Sequence, residues 1–193
     1  SNNLLTTPNS YQPSFAGGRS DGYIYHIDQT GQILLEGTYY GKDSAYDQIY
    51  FVEKDNEGNI FVLGQTDAPD SSYIFNAPYS TPNSGQFISR FSSDLDSLFL
   101  SVAFGRGDGS PDISPTAFLV DLCNKIYVAG WGGGLNSDIP GGLGRSANST
   151  TNGLDITPSS AYQTTTDGND FYLMVLEDDA SVLVYATYFG GNS

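Results

Sequence analysis

Apolar and polar positions along this chain alternate in short runs punctuated by Gly, Asn, Asp and Ser, and three of those runs repeat. YIYHIDQTGQILLEGTYYG from Tyr23, FISRFSSDLDSLFLSVAFG from Phe87 and YLMVLEDDASVLVYATYFG from Tyr172 each close on a glycine 18 residues later, at Gly41, Gly105 and Gly190. In each copy an aromatic-led strand runs to a polar turn, and a second apolar strand ends on an aromatic–Gly pair, which is the pattern of a β-hairpin. A second half follows twice, as KDNEGNIFVLG from Lys54 to Gly64 and VDLCNKIYVAG from Val120 to Gly130. Both predict strand, turn, strand, with the turns at Asn56 to Asn59 and Leu122 to Lys125. A third element, Tyr11-Gln12-Pro13, Tyr79-Ser80-Thr81-Pro82 and Tyr162-Gln163-Thr164-Thr165, precedes each hairpin.

A repeat of this kind decides architecture before any local propensity does. The copies start 64 and then 85 residues apart, and the extra length falls mostly in the Gly- and Ser-rich stretch from Gly132 to Pro158, where a loop insertion is expected. Each full copy supplies about four strands, the unit of a propeller blade. The expectation is an all-β fold, a β-propeller-like array of four-stranded antiparallel blades. The chain forms one domain over 1–193, with repeat units at approximately 11–78, 79–161 and 162–193, the last incomplete. Ten strands, or about two and a half blades, make an incomplete ring, since closed propellers use roughly 4–8 blades. The missing strands would come from a longer polypeptide, from neighbouring subunits, or be dispensed with in an open or sandwich-like unit. The terminal hairpin around Val182 to Phe189 would otherwise leave an apolar edge exposed.

Composition narrows the partners. With 7 Lys and Arg against 22 Asp and Glu, the net charge of −15 argues against nucleic acid and against anionic membrane surfaces, both of which attract basic patches. The 23 Gly, 14 Tyr and 11 Phe suit strands and turns. A single cysteine, Cys123, leaves no partner for an internal disulfide and no Cys-rich metal site. No run approaches the ~18 apolar residues of a membrane helix. The N-terminus lacks the basic-then-apolar pattern of a signal peptide, so an export signal would have been removed or lie outside this sequence.

Candidate chemistry is sparse. The lone histidine, His26, lies in a strand without a triad signature, and neither Gly17-Gly18 nor Gly132-Gly133-Gly134 leads into a phosphate-cradling helix. Asp43 with Asp47, and Asp178 with Asp179, are the visible carboxylate pairs of the kind a glycosidase places across a cleft, but turn chemistry accounts for most of them. Asp43, Asp47, Asp67, Asp70 and Asp108 lie on loops that offer oxygen ligands to calcium, although none forms an EF-hand loop; solvated loop carboxylates are the competing reading. Arg106-Gly107-Asp108 is an RGD tripeptide in a Gly-rich turn. Asp43-Ser44-Ala45 and Asp96-Ser97-Leu98 have the short form of bacterial O-glycan sites, and Asn148-Ser149-Thr150 that of an N-glycan acceptor.

The assembled residues resemble the bacterial SBBP repeat family, whose units open near D-A-F-V-A-K-L-D-x-x-G and close T-Y-x-G-G. Asp21-Gly22-Tyr23 and Asp170-Phe171-Tyr172 match the opening, and Thr38-Tyr39-Tyr40-Gly41 and Thr187-Tyr188-Phe189-Gly190-Gly191 the close. Asn59 to Gly64 and Lys125 to Gly130 match its G-N-x-Y-V-x-G segment. The second copy departs, with Gln86 before Phe87 and Val102-Ala103-Phe104-Gly105 at its close. The stretches Val128 to Gly133 and Asp167 to Tyr172 are similar to a version found in very large Bacteroidota surface proteins exported by the type IX secretion system. This resemblance implies an extracellular, cell-surface-attached, non-catalytic module for adhesion or assembly of a surface structure such as gliding machinery or an appendage. Its partners would be sister subunits or other blades of a larger chain, and surface glycans, with no nucleic acid and no membrane insertion. The competing expectation is part of a propeller enzyme acting on polysaccharide through loop carboxylates.

Overall fold

The computed structural model describes residues 3–133 and 149–191. Among them the fold is all-β, as the residue pattern predicts, with ten strands in three antiparallel sheets and no helix. β1 (Gly22–Ile27) and β2 (Leu34–Tyr40) form a two-stranded sheet. β3 (Gln48–Lys54), β4 (Ile60–Gln65), β5 (Gln86–Phe91) and β6 (Leu98–Phe104) follow one another in a second. β7 (Ser114–Val120), β8 (Ile126–Trp131), β9 (Phe171–Leu176) and β10 (Leu183–Phe189) do the same in a third. None of these sheets closes on itself.

Aspartates set the turns. Asp55 Oδ1 accepts the backbone N–H groups of Glu57 and Asn59 between β3 and β4, and Asp121 Oδ1 accepts those of Cys123 and Lys125 between β7 and β8. The short carboxylate thus replaces a backbone acceptor. The fourth position of both turns is left-handed, and it is occupied by Gly58 (φ 91°) and Asn124 (φ 62°), residues that tolerate that conformation.

The sheets cut across the sequence units. The strand pair β3–β4 hydrogen-bonds to the hairpin of the next copy, β5–β6, and β7–β8 bonds to β9–β10. In the joining ladders Gly64 stands opposite Phe87 and Gly130 opposite Tyr172, so each hairpin's leading aromatic faces a glycine. At Gly64 the reason is space: a Cβ would run into the Phe87 ring and the Gln48 carbonyl. The matching registers make Gly64 equivalent to Gly130 and Phe87 to Tyr172, and so Ile88 to Leu173.

Two apolar layers lie between the sheets. One packs Phe61, Leu63, Ile88 and Val102 of the second sheet against Phe118 and Met174 of the third. The other packs Ile24 and Tyr40 of the β1–β2 hairpin against Val62, Phe87 and Phe91 on the opposite face of the second sheet. Aromatic contacts dominate there: Tyr73 stacks on Phe87 at 4.1 Å between centroids, and Tyr40 meets Phe91 edge-on at 4.9 Å. The buried Tyr40 hydroxyl reaches Ser89 Oγ at 2.8 Å and Ser101 Oγ at 3.2 Å, which satisfies a group that would otherwise be costly to bury. Burial raises its pKa.

Candidate functional site

The element that precedes each hairpin becomes a side-chain clasp. Gln12 Nε2 donates to Asp21 Oδ2 at 2.8 Å, while Gln12 Oε1 accepts the N–H of Gly41 and Thr38 Oγ1 accepts the N–H of Gln12. Gln163 makes the same bonds to Asp170, Gly190 and Thr187. The closing glycine is required by this arrangement, since a Cβ at Gly41 or Gly190 would collide with the carboxylate of Asp21 or Asp170. The middle copy has Ser80, Gly85 and Val102 at the corresponding places and no such clasp. Gln86 substitutes there, donating from Nε2 to the Phe104 carbonyl and accepting the Ile113 N–H at 2.8 Å. The available signal was the co-occurrence of Tyr-Gln with Asp and Thr in the first and third copies, the Asp and Thr keeping the same spacing in both.

A second repeated device follows the hairpins. Asp47 Oδ2 accepts the Lys42 N–H at 2.7 Å, and Asp112 Oδ2 accepts the Arg106 N–H at 2.7 Å. Both aspartates are buried. Burial pushes both carboxyls above the ordinary carboxylate range, against the pull of Thr66 on Asp47 and of Arg106 on Asp112. Asp112 was not among the residues singled out from sequence, because its role depends on where the chain turns after β6.

These contacts locate the sequence-derived candidates. Asp47 is inside, with Oδ1 bonded to the Thr66 hydroxyl at 2.5 Å. Asp67 lies close by and accepts the Tyr46 N–H at 2.6 Å. Asp43 is exposed and takes a bond from Ser44 Oγ at 3.2 Å. Asp70 adopts a positive φ of 57° in its own turn. Asp108 pairs with Arg106 at 2.6 Å in the connection from β6 to β7. Among the described residues no group of three or more His, Cys, Asp or Glu is arranged to hold a metal ion.

The other motifs are similarly placed. Arg106 pairs with both Asp108 and Asp112, so the RGD tripeptide's own charges engage each other. Asp179 Oδ1 accepts the Ser181 N–H in the last hairpin turn, beside Asp178. His26 lies opposite Glu36 in the first hairpin. Cys123 is exposed at a turn. Ser44 and Ser97, of the two short glycan-type sequences, are both exposed. Gly134 and Asn148, with most of the Gly132 to Pro158 stretch, lie outside the described residues.

Exposed apolar side chains include those on the two outer faces of the stack. At one end, grooves of about 390 and 400 Å³ separate β1 from β3 and β4 and are lined by Ile24, Tyr25, Val52 and Ile60, among others. At the other, a shallow depression of about 220 Å³ runs over Ala117, Leu119, Tyr127, Leu173 and Val175 on the third sheet. The third sheet's last strand also exposes Val184 and Phe189. No protein-family model matches the chain, and no curated protein matches it.

Proposed function

We propose that this chain is a segment of a β-propeller-like array of the SBBP repeat type, part of an extracellular, cell-surface-attached protein that works by adhesion or assembly and carries out no catalysis. The observation that carries this reading is the contrast between equivalent positions in the second and third sheets. Ile88, on the face of the second sheet that meets the third, is fully buried, whereas its counterpart Leu173 on the third sheet's outer face is 38 % exposed. A sheet surface patterned for burial and left uncovered is a surface made for a partner sheet. The repeated clasps serve the same end by fixing hairpins rigidly, and the acidic surface keeps such modules soluble until their faces meet.

Sedimentation equilibrium over a wide concentration range, run alongside assays of reducing-end release from a polysaccharide panel, tests this. Association that Leu173→Glu abolishes, without release of reducing ends, is the expected result. Release abolished by Asp43→Asn or Asp47→Asn would replace the binding module with an enzyme.

A further inference from the structure

β5 and β9, the first strands of the second and third hairpins, are each flanked on both sides: β5 by β4 and β6, β9 by β8 and β10. β1 is the same strand of the first hairpin, yet among the described residues it pairs only with β2, an isolated parallel bridge of Ser20 to Tyr46 lying just before it. Its other edge looks into the grooves over β3 and β4. The sequence of β1, GYIYHI, has no Pro or Lys to blunt that edge. Its register shift at His26/Ile27 is no blunting device either, because β5 carries the same irregularity at Arg90/Phe91 while paired on both sides.

The neighbouring sheet shows the same vacancy. Val52 and Phe118 are equivalent, since Val52 stands opposite Val62 and Phe118 opposite Val128 in matching ladders. Phe118 is only 6 % exposed, because the second sheet covers it, and Val52 is 59 % exposed. Phe118 shares its apolar cluster with Phe61 and Leu63 of β4 in the preceding sheet, and β7 packs beside β3 of that sheet. The element absent above Val52 and beside β1 is therefore a strand pair corresponding to β3–β4.

We propose that the free edge of β1 receives an antiparallel strand pair of the β3–β4 kind, contributed by a neighbouring repeat of the same polypeptide. The proposal rests on the repeat-array reading above and specifies its partner. A connection of 20 residues, Thr66 to Gly85, suffices to join such a pair to the following hairpin, as it joins β4 to β5. The register is fixed by the two existing copies. The incoming strand places a glycine opposite Tyr23, as Gly64 lies opposite Phe87, and an apolar residue opposite Tyr25, as Val62 lies opposite Ser89. Backbone hydrogen bonds would supply the attachment and the glycine the selectivity, as in other strand additions.

The probe is a synthetic peptide of residues 56–66 added to the intact chain, with amide hydrogen exchange read separately over β1 and β2. Saturable slowing of exchange by about tenfold or more along β1, lost when the peptide carries Gly64→Val, is the expected result. The proposal fails if β1 exchange is unchanged, or if the Gly64→Val peptide protects β1 equally. It also fails if β1 becomes protected with rising protein concentration in the absence of peptide, which would make a second copy the occupant. Unchanged β1 exchange together with association through Leu173 removes the strand pair and leaves the array reading standing; protected β1 with reducing-end release does the reverse.

Discussion

The hairpins β1–β2 and β5–β6 are written in the same pattern and differ in what surrounds them. In the middle hairpin nearly every residue of β5 is buried, on both faces of its sheet; in β1 the last three residues, Tyr25, His26 and Ile27, are exposed. Phe87 is fully buried against Tyr73 and Tyr40, whereas its counterpart Tyr23 is half-buried and packs on Tyr25 and Tyr39. One sequence signal therefore yields a core strand or a half-covered one according to its neighbours. Identical patterning does not mean identical energy, because the hydrophobic contribution follows the area taken from water.

The largest test of that contrast is truncation of equivalent residues. Phe87→Ala should cost about 3–5 kcal/mol, the range for emptying a packed aromatic site, and Tyr23→Ala roughly 1 kcal/mol, both read from urea denaturation midpoints. Phe118→Ala and Val52→Ala should separate in the same way, with Val52→Ala within about 0.5 kcal/mol. Equal losses at Phe87 and Tyr23 would mean that the first hairpin is covered in solution.

A middle-sized effect distinguishes two adjacent glycines. Gly190→Ala drives a methyl group into the Asp170 carboxylate and should cost about 1–3 kcal/mol. Gly191→Ala has open space around it and should leave the melting temperature unchanged.

The smallest effect is on pH. The Thr30 hydroxyl, with the N–H groups of Ile33 and Gln32, holds the Asp28 carboxyl down at about 2 in the first hairpin turn. A depressed folded-state pKa stabilises above the unfolded value and that stabilisation is lost as pH falls through the folded one. Amide exchange at Gln32 and Ile33 should therefore accelerate between about pH 4 and 2. Asp47 has the opposite sign: burial raises its pKa, so its contribution is full below the unfolded value and is lost as pH rises through the folded one. Asp47→Asn should flatten that part of the stability profile, measured by thermal melts across mildly acidic pH.

The hairpins and the second-half strand pairs were legible because alternation and turn residues act locally, and Asp55 and Asp121 appear in the sequence where they cap their turns. The clasps were only half legible: Tyr11-Gln12 and Tyr162-Gln163 stood out as equivalent, but their hydrogen bonds to Thr38 and Gly41, and to Thr187 and Gly190, reach the far strand of a hairpin brought there by folding. The loop aspartates were the least legible. Their spacing says nothing of depth, and the structure puts Asp47 in the interior and leaves Asp43, four residues earlier, at the surface.

The sequence by itself determined strand content, turn positions and the existence of a repeat, since each depends on side-chain alternation and backbone preference within a few residues. Only the tertiary structure decided how strand pairs are shared between sheets, which faces remain bare and which carboxylates are buried. Those properties depend on which segments meet across 20 or more residues of intervening chain, such as Thr66 to Gly85 between β4 and β5, and local pattern carries no record of that meeting.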